Sequence, residues 1–405
     1  MSALVLDAGT SRRELAGVIA PGDDAHALAA YARSIWAVLV EPGDRVAGEL
    51  VRALGPVAAL RVALTDSRDP GHVSEAGLTA DEIGAGRRRW QPRLGAVAST
   101  LANARRAGVR LVIPEDREWP ARVDDLGPFA PLCLWVRGEV GLLAAPRPAV
   151  AIVGARAASG YGEHVAAELA AEAGAAGIAV YSGAAYGIDA AAHRAALSAV
   201  GPTIAVMAGG VERAYPSGNR DLIDRIARAG AVVAEVPCGT APTKHRFLAR
   251  NRLIAALSDG TVVVEAGWRS GSLNTAHHAQ AIGRPVGVVP GPITSASSRG
   301  CHRLLREGDA VCITGIDDMR DLVGASVGGA LDAGATDAYT GERTRVLDAL
   351  SLRSPRSTED IAQRAGFSLD EAAALLGLLE LEGRAERRER GWVGVGGMAR
   401  PAMLW

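Results

Sequence analysis

Residues 148–162 read PAVAIVGARAASGYG: an apolar run closed by Gly154, an arginine two residues on, then Gly160 and Gly162 ahead of an Ala/Leu-rich stretch. A near-continuous apolar strand reads as one buried on both faces, and a glycine-rich turn into a helix follows it. The same punctuation recurs downstream at GIAVYSG (177–183), TIAVMAGG (203–210), AVVAEVP (231–237), GTVVVEA (260–266) and PVGVVPG (285–291). Helical stretches at 162–174, 188–199, 218–229 and 272–282 lie between most of them. Strand–helix alternation of this kind predicts an α/β fold with a doubly wound, mostly parallel sheet. All the runs but AVVAEVP reach a glycine within or just after their C-terminal ends, and there Gly239 follows two residues later. Ligands of doubly wound sheets bind at that carboxyl edge, so the glycine clusters point to one rim.

Working outward, short strands are expected at 111–114 and 132–138, and helices over 23–65 and near 91–108. The polar stretch 66–90 reads as a loop, and the Gly/Ala-rich stretch 321–341 as a linker. Residues 342–396 suggest three short helices and a terminal hairpin, a winged helix-turn-helix pattern, with Ser357 or Thr358 and Ser368 as caps. The predicted boundaries are 1–108, 109–320, 321–341, 342–396 and a tail 397–405.

The chain has 405 residues, 44 basic against 45 acidic, and Lys244 is the sole lysine. A net charge of −1 excludes a generally polycationic coat, but not a local basic site. Nothing resembles a signal peptide or a run of roughly 20 apolar residues. Cys133, Cys238, Cys301 and Cys312 show no ligand spacing and read as reduced, mostly buried thiols. A cytoplasmic protein without metal, cofactor or membrane contact is expected.

Three candidate features lie on the rim. The turn VGARAASGYG (153–162) offers backbone N–H groups to an anion and Arg156 as a phosphate clamp. It is neither GxGxxG nor a Walker loop, which weakens a dinucleotide reading. In YSGAAYGIDAAAH (181–193), Ser182 and Gly183 end a strand, Asp189 reads as a first-turn acid and His193 as a packed histidine. From Lys244 to Arg306 there are nine basic residues and only two acids, a net +7 over 63 residues. Ser270-Gly271-Ser272 forms a second anion nest in that segment. Two nests and an arginine-rich rim favour a polyanion, gripped by its backbone with little base stacking. In contrast, residues 342–390 carry nine arginines and ten acids, which favours a protein-contact or regulatory role for the winged helix over reading DNA.

The ordered strings VGARAASGYG (153–162), SGAAYGIDAAAHRAAL (182–197), GGVERAYPSGNRDL (209–222), FLARNRLIAALSDGTVVVEAGWRSGSLNTA (247–276), GRPVGVVPGPI (283–293) and SRGCHRLLREG (298–308) resemble the DNA-processing protein A (DprA/Smf) family. The resemblance implies an extended Rossmann-like core with a small helical (SAM-like) N-terminal domain and a C-terminal winged-helix domain. It further implies a single-stranded DNA-binding recombination mediator, not an enzyme, which helps load a RecA-type recombinase and dimerises through its core. The matching DNA contacts are Gly154, Arg156, Ser182, Gly183, Lys244, Arg250, Asn251, Arg252, Ser270, Gly271 and Ser272. Leu248 and Ala249 stand where the family often has Pro and a second basic residue. With about five phosphates neutralised, log affinity is expected to fall with log salt at a slope near −3.5. Arg250 and Arg252 are expected to be replaceable by Ala with little loss of stability. The alternative is a nucleotide hydrolase of the phosphoribohydrolase kind, using Glu265 and Arg156 on one nucleoside monophosphate.

Overall fold

A computed structural model describes residues 5–65, 76–308, 310–325, 342–352 and 354–395. Its N-terminal part is helical: α1 (Ala8–Leu15), α2 (Asp24–Leu39), α3 (Arg45–Leu64), α4 (Ala80–Trp90) and α5 (Val97–Arg106). Asp7, Asp23 and Asp44 cap the first three, each accepting from first-turn N–H groups. The stretch 66–90 is therefore not all loop. Thr79 and Glu82 form a reciprocal capping box that starts α4. The T-x-x-E spacing at 79–82 carried that signal, but α4 buries only Ile83, Gly86 and Trp90, so its polar composition masked it. Residues 66–75 lie outside the described residues. The helix expected near 91–108 is a 3-10 segment, Gln91–Ala96, leading into α5.

The sheet region runs β1 (Arg110–Val112), β2 (Leu134–Gly138), β3 (Ala149–Gly154), α6 (Gly160–Ala175), β4 (Ala179–Ser182), α7 (Ile188–Ser198), β5 (Thr203–Val206), α8 (Arg220–Ala229) and β6 (Ala231–Ala234). It continues with α9 (Lys244–Ala256), β7 (Gly260–Glu265), α10 (Ser272–Ala281), β8 (Val286–Val288), α11 (Arg299–Glu307), β9 (Val311–Cys312) and α12 (Ile316–Leu322). The nine strands lie in the order β1-β2-β6-β5-β4-β3-β7-β8-β9. β2 pairs antiparallel with both β1 and β6, and the pairs from β6 through to β9 are parallel. The fold is thus the mixed α/β architecture expected. The edge strand β9 was not anticipated, because two exposed residues carry no strand pattern.

The apolar runs are strands because both faces are buried. On β3, Ala149, Ala151 and Val153 join one core, while Val150 and Ile152 join the other. Each buried valine or isoleucine contributes roughly 1.5–3 kcal/mol, so a one-residue slip in register would forfeit several such side chains at once. The N-terminal helices share a core with the sheet: Trp36, Leu50, Trp90 and Leu101 pack in one cluster with Trp135, Ala205 and Val232. Accordingly, the described residues up to Ala325 form one compact unit, with no break in packing at the expected 108/109 boundary. Asp321 and Leu322, placed in the expected linker, belong to the end of α12. The linker beyond Ala325 and the tail 397–405 lie outside the described residues. Three cysteines are buried, and Cys312 is exposed on β9.

The second unit contains α13 (Glu342–Ala349), α14 (Thr358–Ala365), α15 (Leu369–Leu381), β10 (Ala385–Arg388) and β11 (Gly391–Gly394). Ser357 caps α14, and Ser368 caps α15 through a box with Glu371. β10 and β11 form an antiparallel hairpin, and Arg356 bridges to Trp392 as a short third strand. Val346, Ile361, Leu376 and Trp392 share its core. This is the winged-helix arrangement.

Candidate nucleic-acid interface

From β3 the chain winds one way, through β4 and β5 to β6, and from β7 it winds the other way, through β8 to β9. The gap between the carboxyl ends of β3 and β7 is therefore the switch point of the sheet, where doubly wound folds leave a crevice. A cleft of about 290 Å³ opens there. Gly154, Arg156, Arg250, Asn251, Ser270, Gly271 and Ser272 line it, together with Phe247 and Leu248. The rim expected from the glycine pattern is thus a real crevice, but the eleven expected residues divide in role.

Arg156 is exposed and has no acidic partner within 4 Å among the described residues. Its guanidinium carbon lies 4.9 Å from the Phe247 ring centroid, a cation–π contact that fixes the charge at the cleft mouth. Opposite, α10 begins at Ser272 with no side-chain cap. The Ser270 and Ser272 hydroxyls, 2.7 Å apart, flank this start; Ser272 N–H reaches Ser270 Oγ at 3.4 Å, and Leu273 and Asn274 N–H reach Ser270 O and Gly271 O at 3.3 and 3.2 Å. A helix start held only by such long bonds attracts an anion through its dipole and can turn its N–H groups to the ligand. Lys244, at the start of α9, is exposed and lies outside the cleft lining.

The other expected anion nest is already filled. Ser159 caps α6 through Gly162 N–H, at 3.1 Å. The Glu265 carboxylate accepts from Ser159 N–H at 2.8 Å and from the Ser297 hydroxyl at 2.5 Å. Glu265 is only 3% exposed and does not line the cleft. The carboxylate that the hydrolase reading needed is thus committed to holding the turn after β3 against the end of β7.

Four expected contact residues serve the fold. Ser182 is fully buried and donates to Ile152 O at 2.6 Å. Gly183 N–H is taken by the Asp189 carboxylate at 3.1 Å, so it is not free for a ligand. Gly183 must be glycine because a Cβ there would run into the Arg250 guanidinium. Arg250 itself is buried and donates to Gly183 O and Val206 O, tying the ends of β4 and β5 to α9. Burial pushes its pKa down to about 10 against the raising effect of Asp189, so it stays charged near neutral pH. Burial raises the Asp189 carboxyl, and Arg250 pulls it back. Arg252 points away from the cleft, into a buried ion pair with Glu235. Burial and these internal bonds argue against the expectation that Arg250 and Arg252 can both be replaced with little loss of stability. Asn251 lines the cleft, but its amide donates to Gly271 O at 3.2 Å and to Asn274 Oδ1, so it also positions the open turn.

Asp189 and His193 do not form an acid–base pair. His193 is fully buried and hydrogen-bonds Thr203 Oγ1 at 2.7 Å; Thr203 in turn donates to Val180 O. Burial pushes the His193 pKa down to about 3, which keeps it neutral.

The +7 segment is largely spent internally. Arg246, Arg252, Arg284 and Arg303 pair with Glu41, Glu235, Asp125 and Glu307. Lys244, Arg269, Arg299 and Arg306 are exposed and keep no acidic partner within 4 Å among the described residues. Phe247 was underrated by the sequence reading. It meets Tyr215 at 5.5 Å between ring centroids and lies beneath Arg156. Its i, i+3 spacing to Arg250 on a helix would have placed it on the cleft face, had the segment been read as helical.

Comparison with known proteins agrees with this architecture. Residues 110–324 match the family model of the DNA recombination-mediator protein A, and residues 332–389 that of the DprA winged helix domain. A DNA processing protein DprA of Mycobacterium tuberculosis is 42% identical over 375 residues, covering 88% of this chain and 93% of its own length. The DprA of Streptococcus pneumoniae is 42% identical over 197 residues, 48% of this chain and 67% of that protein. Its crystal structure superposes with a TM-score of 0.58 at 30% identity, over 71% of this chain and 95% of that one. Sheet order, winged-helix unit and sequence agree: this chain belongs to the DNA-processing protein A (DprA/Smf) family.

Proposed function

We propose that the switch-point cleft grips the backbone of single-stranded DNA, and that the chain acts as a recombination mediator on incoming or exposed strands. The observation that carries this reading is the convergence of Arg156, the uncapped start of α10 and the Phe247 ring on one crevice. This reading sets a phosphate between the guanidinium and the helix start, with flanking bases against the Arg156–Phe247 pair. Single strands expose such bases, whereas a duplex keeps them stacked inside. The cleft reads no base edge by an evident donor–acceptor pattern, so sequence preference should be small.

Gly154, Arg156, Asn251, Ser270, Gly271 and Ser272 make the direct site in this reading, with Lys244 as an outlying charge. Ser182, Gly183, Arg250 and Arg252 support it from behind. The family's description as a recombination mediator supports a RecA-type recombinase as the partner in recombination and DNA uptake (natural transformation, competence). The cytoplasm is the compartment this reading proposes. Among the described residues no helix is long and apolar enough to cross a membrane. A homodimer through the core is supported by the open edge strand β9, where Val311 is 53% exposed.

The test is binding of single- and double-stranded oligonucleotides across a salt series. With Arg156, Lys244, Arg269, Arg299 and Arg306 as the exposed cations without an acidic partner among the described residues, the slope of log affinity on log salt should be no steeper than about −3.5, at roughly −0.7 per phosphate. Equal affinity for duplex, or no salt dependence, would remove the reading.

A further inference from the structure

Beyond the cleft, the same rim carries a second aromatic feature. The chain leaving β7 turns tightly, with Ser270 N–H bonded to Gly267 O at 3.0 Å, and presents Trp268 at the tip. Trp268 is 53% exposed although it is among the largest side chains in the protein. It stands two residues before Ser270, so the turn that lines the cleft also bears the indole.

The indole is held in place. Gly300, in the first turn of α11, donates to Ala266 O at 2.8 Å, and a Cβ on it would meet Gly267 O at 2.7 Å. This close approach brings Arg303 over the ring, with its guanidinium carbon 5.1 Å from the centroid. Arg303 is steadied by Glu307 one turn on, at 3.4 Å. A backed indole gives up little conformational entropy on stacking. The surroundings select the ligand by charge: Arg269, Arg299 and Arg306 are exposed and unpaired among the described residues, and Glu307 already faces Arg303. An aromatic plate in a cationic field suits a base with its phosphates better than an apolar peptide.

We propose that Trp268, backed by Arg303, is a second stacking station for single-stranded DNA, reached by the strand as it leaves the cleft past Ser270-Gly271-Ser272. The proposal rests on the single-strand reading of the cleft and extends its footprint towards α11. Arg269 and Arg299 would take the phosphates on either side of the stacked base.

The test uses the full chain and oligothymidylates of two lengths, about four nucleotides to fill the cleft and about twenty to run past it. Trp268→Ala should bind the long oligomer about tenfold more weakly, while its affinity for the short one matches wild type. Trp268→Phe should keep most of the long-oligomer affinity, and its emission should lack the part of the tryptophan signal that the long oligomer quenches in wild type. Equal affinity of wild type and Trp268→Ala for the long oligomer would overturn the second station and leave the cleft reading standing. A wild-type protein that binds neither length would overturn both.

Discussion

Two turns on the same rim look alike in sequence and behave oppositely. Residues 159–162 and 270–272 are both Ser/Gly turns that open a helix after a strand. In the first, Ser159 caps the helix and Glu265 takes a further N–H, so the site is satisfied from within. In the second, no N-cap side chain closes α10, its first N–H groups make only long bonds within the turn, and its start lines the open cleft with Arg156. Turn composition therefore identifies a place where an anion can sit. Whether the anion is a ligand or the protein's own carboxylate depends on a residue far away in sequence, here more than a hundred positions on.

The contrast can be broken by experiment, beginning with the groups the protein uses on itself. Arg250→Ala removes the buried positive charge that offsets Asp189 and the donor to two carbonyls, so it should cost about 3–5 kcal/mol in urea unfolding. A loss below about 1 kcal/mol would mean that Arg250 is not the pin of the rim. Glu265→Ala should follow, at about 2–3 kcal/mol, since two donors lose their acceptor inside the protein. Unchanged thermal stability would show that the first turn does not need its carboxylate.

At the open turn the order reverses. Arg156→Ala should leave the unfolding midpoint nearly unchanged, weaken single-strand binding roughly tenfold at low salt and reduce the salt slope by about 0.7. If stability falls and binding does not, the roles of the two turns have been exchanged. The smallest effect concerns Glu41, which occupies Arg246 as Glu265 occupies the first turn. Burial pushes its carboxyl up, but the guanidiniums of Arg246 and Arg93 outweigh this and hold it below the ordinary value of 4.5. A carboxylate lowered in the folded state stabilises the fold above its unfolded value, and that stability is lost as pH falls through the folded value. Stability should therefore decline more steeply below pH 4.5 in wild type than in Glu41→Gln, as followed by thermal unfolding.

Much of the fold was legible because its strands are apolar on both faces and end in glycine. The crevice was legible for the same reason. The division of labour within it was not, because the segment from Lys244 was read as charge and not as helix. Residues two apart on a helix are turned about 200° from each other, so Arg250 and Arg252 could never have faced one cleft together. The count of +7 likewise could not reveal partners: Glu41, Asp125 and Glu235 all lie outside the counted segment. α4 was missed because a helix that buries so few side chains has little apolar periodicity to read.

α9 has a consequence for genetics. Around its circumference Arg246 grips Glu41, Phe247 faces the cleft, Arg250 fastens two strand ends, Asn251 steadies the facing turn and Arg252 pairs with Glu235. Substitutions in its buried half, Arg250 to Ala256, will therefore disturb folding. A random screen for inactive variants will accumulate hits on this helix, most of them low-abundance protein and not defective binders. The informative alleles should be the sparse ones elsewhere on the rim, at positions such as Arg156 and Trp268, where protein levels are expected to hold while single-strand binding weakens.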